Sequence, residues 1–385
     1  MSSKRLFSDS DQFLSQKRHF EERLTVSRHF ASLFVIAGLL LIALPSSAQF
    51  QNGNQSIVLT LPEISQHSVL TQRIGITDIT INYHRPLVNG RKVFGGLVPY
   101  GQVWRAGADQ NTTISFTDPV TIEGKPLARG TYGLHMIPGE SEWTIIFSNN
   151  YTSWGSFSYD QKEDALRLTV KPQPGEFHEA LAYDFDDMKP DSAQVTLRWE
   201  KIAVAFHVGV NVNEIVTQSI KNELRNTGGF TWMGYDDAAT YLLESKGDLK
   251  QALNYADQAI QNEERFDDLL TKSRILDAMG KKDEATTARN KALGIANVIQ
   301  VHTYARQLQR DGKSEEAYKL FRENARKNPD SWVVHVGLSR MYSAQGDFPN
   351  ASKEMTVAIA SAPDGAKGGL QGLAKRLENK DDINK

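Results

Sequence analysis

A repeat in the second half of the chain constrains the fold more than any other feature. Gly247, Gly280, Gly312 and Gly346 follow one another at intervals of 33, 32 and 34 residues. Each is followed by a polar residue (Asp248, Lys281, Lys313, Asp347), and five residues after each glycine stands an alanine: Ala252, Ala285, Ala317, Ala351. Pro329 and Pro363 lie seventeen residues beyond the third and fourth glycines. Glycine ends a helix by taking the left-handed conformation of its C-terminal turn, and proline cannot continue one. Alanine leaves room for two helices to approach closely. Each period therefore reads as helix, turn, helix, break, and such units must stack to bury their apolar faces.

This grammar resembles the tetratricopeptide repeat, whose period is about 34 residues. Four repeats are expected at 233–265, 266–297, 298–331 and 332–365. A linking helix is expected within 211–232, and a capping helix (Gly369 to Asn379) with a tail within 366–385. The first two repeats lack the terminal proline, and Lys282 stands where Leu249 and Phe348 are apolar. The resemblance implies a groove, lined by the first helix of each pair, that takes a protein or peptide. Alignment on the glycines places Tyr241, Arg274, Arg306 and Arg340 six residues upstream, and the resemblance puts that position in the groove. His302 and Arg310 are expected on the same face. Stacked guanidinium groups would favour an acidic segment or a chain-terminal carboxylate. The same arginines can equally pair with nearby acids such as Asp277 on a solvated helix face.

Residues 49–210 carry a different pattern. Ile79 to Tyr83, Thr113 to Phe116, Thr131 to Ile137 and Glu142 to Phe147 alternate with period two. Ala165 to Val170, Leu181 to Phe185, Ala193 to Trp199 and Ile202 to Val208 follow the same rule. β-Branched and aromatic residues dominate these runs, and turn-forming residues separate them: Glu123-Gly124-Lys125-Pro126, Pro138-Gly139-Glu140-Ser141 and Lys189-Pro190-Asp191-Ser192. The expected fold is an all-β antiparallel sandwich followed by an all-α tetratricopeptide-like solenoid.

Between Asp78 and Asp109 no acidic residue occurs, while Arg85, Arg91, Lys92 and Arg105 interleave with Tyr83, His84, Phe94, Tyr100 and Trp104. The stretch is rich in glycine and lacks strand periodicity. A long connection within a compact domain is a candidate functional loop, and cations beside aromatic faces suit a small anionic or sugar ligand. Arg85, Arg91, Lys92, Trp104, Arg105 and, from a strand, His135 are the ligand-binding candidates. The alternative is structural: guanidinium groups on buried carbonyls and Trp104 plugging one end of the sandwich.

The strings Thr71-Gln72-Arg73-Ile74-Gly75, Ile79 to Pro86, Gly90 to Gly95, Leu97 to Gly101 and Val103 to Ala108 carry a second resemblance. It continues through Gly130-Thr131-Tyr132-Gly133-Leu134 and Trp154-Gly155-Ser156-Phe157-Ser158-Tyr159. Roughly residues 60 to 205 resemble the bacterial family called domain of unknown function 2911. The resemblance implies an exported protein, often with helical repeats appended, and carries over no catalytic residue.

Leu33 to Leu44 is an uninterrupted apolar run, too short for a membrane-spanning helix and suited to the core of a signal peptide. Arg23 and Arg28 precede it, Pro45 follows, and Ser46 and Ala48 supply the small residues a signal peptidase reads. Residues 1–48 are expected to be removed, leaving Gln49 first. The polar stretch before the run is long for an export signal, which suggests a start near Leu24 or Val26. With this segment gone, no membrane span is expected, and the product would be periplasmic or extracellular.

The chain has no cysteine, which excludes disulfides, thiol nucleophiles and thiolate metal sites. A net charge of −2 is no nucleic-acid footprint. No metal, phosphate-loop, dinucleotide or nucleophile-elbow motif occurs, so neither a cofactor nor a catalytic residue is assigned. The reading is an exported binding or scaffold protein, its β-domain for a ligand or partner and its repeats for a protein or peptide. The alternative is an extracytoplasmic enzyme acting on a sugar or peptide, with His84 or His135, Arg85 and Arg105 around the substrate. Convergence of His135, Arg85 and Trp104 in one pocket would favour it.

Overall fold

A computed structural model describes residues 63–385. The expected export segment and its cleavage point lie outside the described residues. Among the described residues the β-domain has ten strands: β1 Gln66–Ile74, β2 Thr77–Arg85, β3 Thr113–Phe116, β4 Val120–Ile122, β5 Lys125–Leu127, β6 Gly130–Ile137, β7 Trp143–Ser148, β8 Asp164–Val170, β9 Gln173–Lys189 and β10 Ser192–Val210. They form a six-stranded sheet in the order β1-β2-β3-β6-β7-β8 and a four-stranded sheet in the order β5-β4-β10-β9. Every pairing within the two sheets is antiparallel.

Alternation places one side of each strand between the sheets. Ile79, Ile81, Ile114, Leu134, Met136, Ile145 and Phe147 face Leu181, Val195, Leu197, Trp199, Val204 and Phe206 in one buried core. Ala193 to Trp199 and Ile202 to Val208 belong to a single strand, β10, rather than two. A bulge at Glu200, with φ of 54°, breaks the alternation between them without ending the strand. Between β2 and β3 the chain makes no regular strand. Isolated bridges pin this connection through Leu87 to Ala180 and Trp104 to Met136. Val88, Val93, Phe94, Val98 and Ala106 anchor it in the core.

Ten helices follow. Helix α1 (Val212–Glu223) is capped by the Asn211 side chain, which accepts from the Glu214 amide, and rests Val212 and Ile215 on the sandwich core. Four antiparallel pairs come next: α2 Trp232–Glu244 with α3 Leu249–Asn262, α4 Phe266–Ala278 with α5 Lys282–Ile295, α6 Val298–Arg310 with α7 Ser314–Lys327, and α8 Trp332–Ala344 with α9 Phe348–Ser361. The last helix, α10, is Asp364–Glu378 and begins directly after Pro363, ahead of the Gly369 start expected from sequence.

Ala252, Ala285, Ala317 and Ala351 each occupy the fourth position of the second helix in a pair and are wholly buried. In the second and fourth pairs a serine of the first helix donates to that alanine's carbonyl: Ser273 Oγ to Ala285 O and Ser339 Oγ to Ala351 O, both 2.8 Å. Gly280, Gly312 and Gly346 adopt φ between 76° and 79° and end the first helices. Gly247 does not. In the first pair the left-handed residue is Lys246, with φ of 55°, and Gly247 is one extra residue in a longer turn. The glycine-based alignment is therefore one residue out of step in the first repeat.

Candidate functional site

The first helices of three pairs line an open groove of about 770 Å³. Helix α2 contributes Asp236, Thr240 and Glu244 at four-residue spacing, which puts them on one face. Helix α4 adds Asp267, Leu270, Arg274 and Asp277, and α6 adds Ile299, Thr303, Tyr304, Gln307 and Asp311, the last its C-cap. Asp236, Glu244, Asp267, Asp277 and Asp311 outnumber the cations Arg274, Arg289 and Lys313. Glu244 is satisfied by Arg274 at 3.6 Å. Burial and the neighbouring Asp237 and Asp267 raise the Asp236 carboxyl, one of whose buried oxygens has no partner. The groove is thus acidic, the opposite of the field expected from stacked arginines.

Of the six groove candidates, only Arg274 lines it. Tyr241 falls one position off because the turn residue is Lys246; its hydroxyl donates to Asn213 Oδ1 at 3.0 Å, and Thr240 takes the groove position. Arg310 donates to Gln307 at 2.5 Å. His302 is sunk under α8, where Gly337 makes room for its ring, and burial lowers its pKa to about 4. Burial and Arg310 lower the Arg306 pKa.

Arg340 is not free for a partner, because the chain's own last residues cover it. It is 8% exposed and donates from Nη1 to the Ile383 carbonyl at 2.7 Å. The Ile383 amide donates to Ser343 Oγ at 3.0 Å, and Asn384 donates to the Arg340 carbonyl at 2.9 Å. With Ile383 only 3% exposed, Asp381–Lys385 is a packed part of the array.

The β-domain holds a second cleft, of about 630 Å³, on the connection between β2 and β3. Its lining includes Leu87, Leu97, Trp104, Phe157 and Trp199, with Arg91 and Arg105 as the two cations and no carboxylate among the described residues. Trp104 stacks on Trp199 at 5.8 Å and 20°, with the edge of Phe94 against both. Its indole N–H donates to the Gly107 carbonyl at 3.0 Å. Arg91 spends Nε on Val88 O at 3.0 Å and Nη2 on Leu87 O at 2.6 Å. Arg105 lies 5.4 Å over the Trp154 ring, and its buried Nε has no partner. Desolvation lowers its pKa, against the opposing pull of Asp109.

The other ligand candidates sit elsewhere. Arg85 donates to the Leu181 carbonyl at 2.9 Å and serves the joint between sheets. Lys92 is exposed outside the cleft. His135 points away from the core, where the loop after β7 covers it. Its Nδ1 meets Ser156 Oγ at 3.0 Å, and burial lowers its pKa to about 4. His135, Arg85 and Trp104 therefore do not converge, and the enzyme alternative loses the arrangement that would have favoured it. Sequence reasoning missed Phe157 and Trp199, which reach the cleft from segments remote in sequence. Among the described residues no cluster of histidines and carboxylates could hold a metal ion.

Fold and sites together define a two-domain protein, a β-sandwich joined to a tetratricopeptide-like array. Residues 65–208 match the family model described as a protein of unknown function (DUF2911). That match ends where the helical array begins, and the structural neighbours of the array are tetratricopeptide proteins. One neighbour is YrrB, described as a tetratricopeptide protein with an unusual peptide-binding site. It has 15% identity, with 44% of this chain and 91% of that chain covered and a TM-score of 0.24. MamA has 10% identity, coverage of 39% and 88%, and a TM-score of 0.26. A tetratricopeptide protein from Bacteroides fragilis has 11% identity, coverage of 44% and 91%, and a TM-score of 0.25. No curated protein matches the chain.

Proposed function

We propose that this chain is an exported binding scaffold whose array holds an extended protein segment in the groove of α2, α4 and α6. The observation that carries this reading is the groove itself: an open channel lined by carboxylates, with Leu270, Ile299 and Tyr304 as apolar contacts. Its charge selects a segment bearing Lys or Arg rather than an acidic one. Export is supported by the apolar run Leu33 to Leu44 and the small residues Ser46 and Ala48. Recovery from the envelope of a chain beginning at Gln49 is the expected result; recovery of an intact amino terminus would contradict it.

Selection of random peptides on the full chain tests the groove. The winners should be rich in Lys and Arg, bind more weakly as salt rises, and lose at least tenfold in affinity to Asp277→Lys/Asp311→Lys. Both positions are exposed, so the fold should survive the change. Unchanged affinity in that double variant would remove the groove from the account.

A further inference from the structure

The cleft of the β-domain has a chemistry unlike that of the groove. Among the described residues its charged lining side chains are cations, and its walls mix apolar and aromatic side chains with the polar Ser65, Asn89, Gln102 and Ser156. Arg91 is committed to two backbone carbonyls, which fix it in place while leaving its charge at the rim. Arg105 is committed to none. Among the described residues two buried N–H groups of the lining have no partner: Arg105 Nε and Trp199 Nε1. A buried donor left unpaired costs on the order of 1–3 kcal/mol, so such groups mark a place where an acceptor belongs.

The surroundings hold Arg105 in place. Gly155 adopts φ of 70°, and a Cβ there would lie 2.5 Å from Arg105 Nη1, so glycine lets the guanidinium sit against the backbone without being displaced. On the outer side Trp154 and Phe157 stack at 6.0 Å and 8° while remaining 59% and 85% exposed. Leu87 and Leu97 are also exposed at the cleft. Exposed aromatic and aliphatic side chains around desolvated donors are the composition of a small-molecule site, and the cleft volume lies in the usual range of about 300–1,000 Å³.

We infer that this cleft binds an organic monocarboxylate with an aromatic or aliphatic body, the carboxylate received by Arg105 and the body lying against Phe157, Leu97 and the Trp104–Trp199 stack. A single negative charge matches the local balance. Arg91 and Arg105 contribute two positive charges, and Asp109, whose field opposes the lowering of the Arg105 pKa, offsets one. The faces of Leu97, Trp104 and Phe157 give an aromatic or aliphatic body the apolar contact that inorganic phosphate lacks. The inference is independent of the groove, because no residue of the helical array lines this cleft.

The test is titration of the full chain with arylalkanoates of two to six chain carbons, each beside its uncharged primary amide, followed by calorimetry and tryptophan fluorescence. At least one acid should bind, at least tenfold tighter than its amide. Arg105→Gln should erase that preference, and Phe157→Ser should weaken acid and amide alike. Phe157 is exposed, so its variant reports on the site even if Arg105→Gln does not fold. No binding by any acid, equal binding of acid and amide, or a preference that survives Arg105→Gln would overturn the assignment. Displacement of the acid by millimolar inorganic phosphate would overturn it too, in favour of a phosphate site.

Discussion

Asp268, in the first turn of α4, is wholly buried, and neither of its carboxylate oxygens has a partner. Burial and the adjacent Asp236 push its pKa up to about 7, against the pull of Arg265. Between the ordinary value of 3.8 and about 7 the folded chain keeps a proton that the unfolded chain gives up. The stability from this group is therefore complete below 3.8, declines across that window as pH rises, and is gone above it. Asp268→Asn should stabilise the protein at pH 8, by roughly 1–3 kcal/mol, and change little at pH 4. Thermal melts at the two pH values check this. Such a residue was not legible in the sequence, because nothing local distinguishes Asp268 from the exposed Asp267. The cleft cations were partly legible. An acid-free stretch shows that Arg91 has no nearby counter-ion in sequence and that Arg105 has only Asp109 at its end, but not that Arg85 is spent on a carbonyl.

At the scale of elements, the spacing of glycine and alanine was enough to foresee the helix pairs. Alternation foresaw most strands. Strands β4 and β5 escaped because three residues each are too few to show a period. Strand β1 escaped because most of its side chains are exposed or only half-buried, so its sequence shows no apolar alternation. The error at Tyr241 has a physical cause: glycine marks the left-handed turn in three pairs, but a lysine occupies it in the first. A Cβ at positive φ costs about 1 kcal/mol, so Lys246→Gly should stabilise the array by about that amount. Gly280→Ala, at φ of 78° with no neighbour within 4 Å, should destabilise it by a similar amount. Denaturant melts of the two variants provide the comparison; a loss of stability in Lys246→Gly would contradict the turn assignment. The tail makes a further prediction. Removing Asp381–Lys385 strips the Ile383 side chain and four hydrogen bonds from α8, so the truncated chain should melt at a lower temperature.

At the scale of the whole molecule, the order of a β-sandwich and a helical array was readable from the change of period along the chain. The sign of the groove was not. Arg274, Arg306 and Arg340 share a sequence position but not an environment: one is paired in the groove, one is half-buried beside Arg310, and one lies beneath the tail. With those cations committed, the carboxylates of α2, α4 and α6 set the field. The central claim is that an extended basic segment lies along these three helices. Hydrogen exchange of the full chain, with and without a selected Lys/Arg-rich peptide, tests it most directly. The account predicts slowed exchange in α2, α4 and α6. Slowing confined to α3, α5 and α7, or to the β-sandwich, would contradict it.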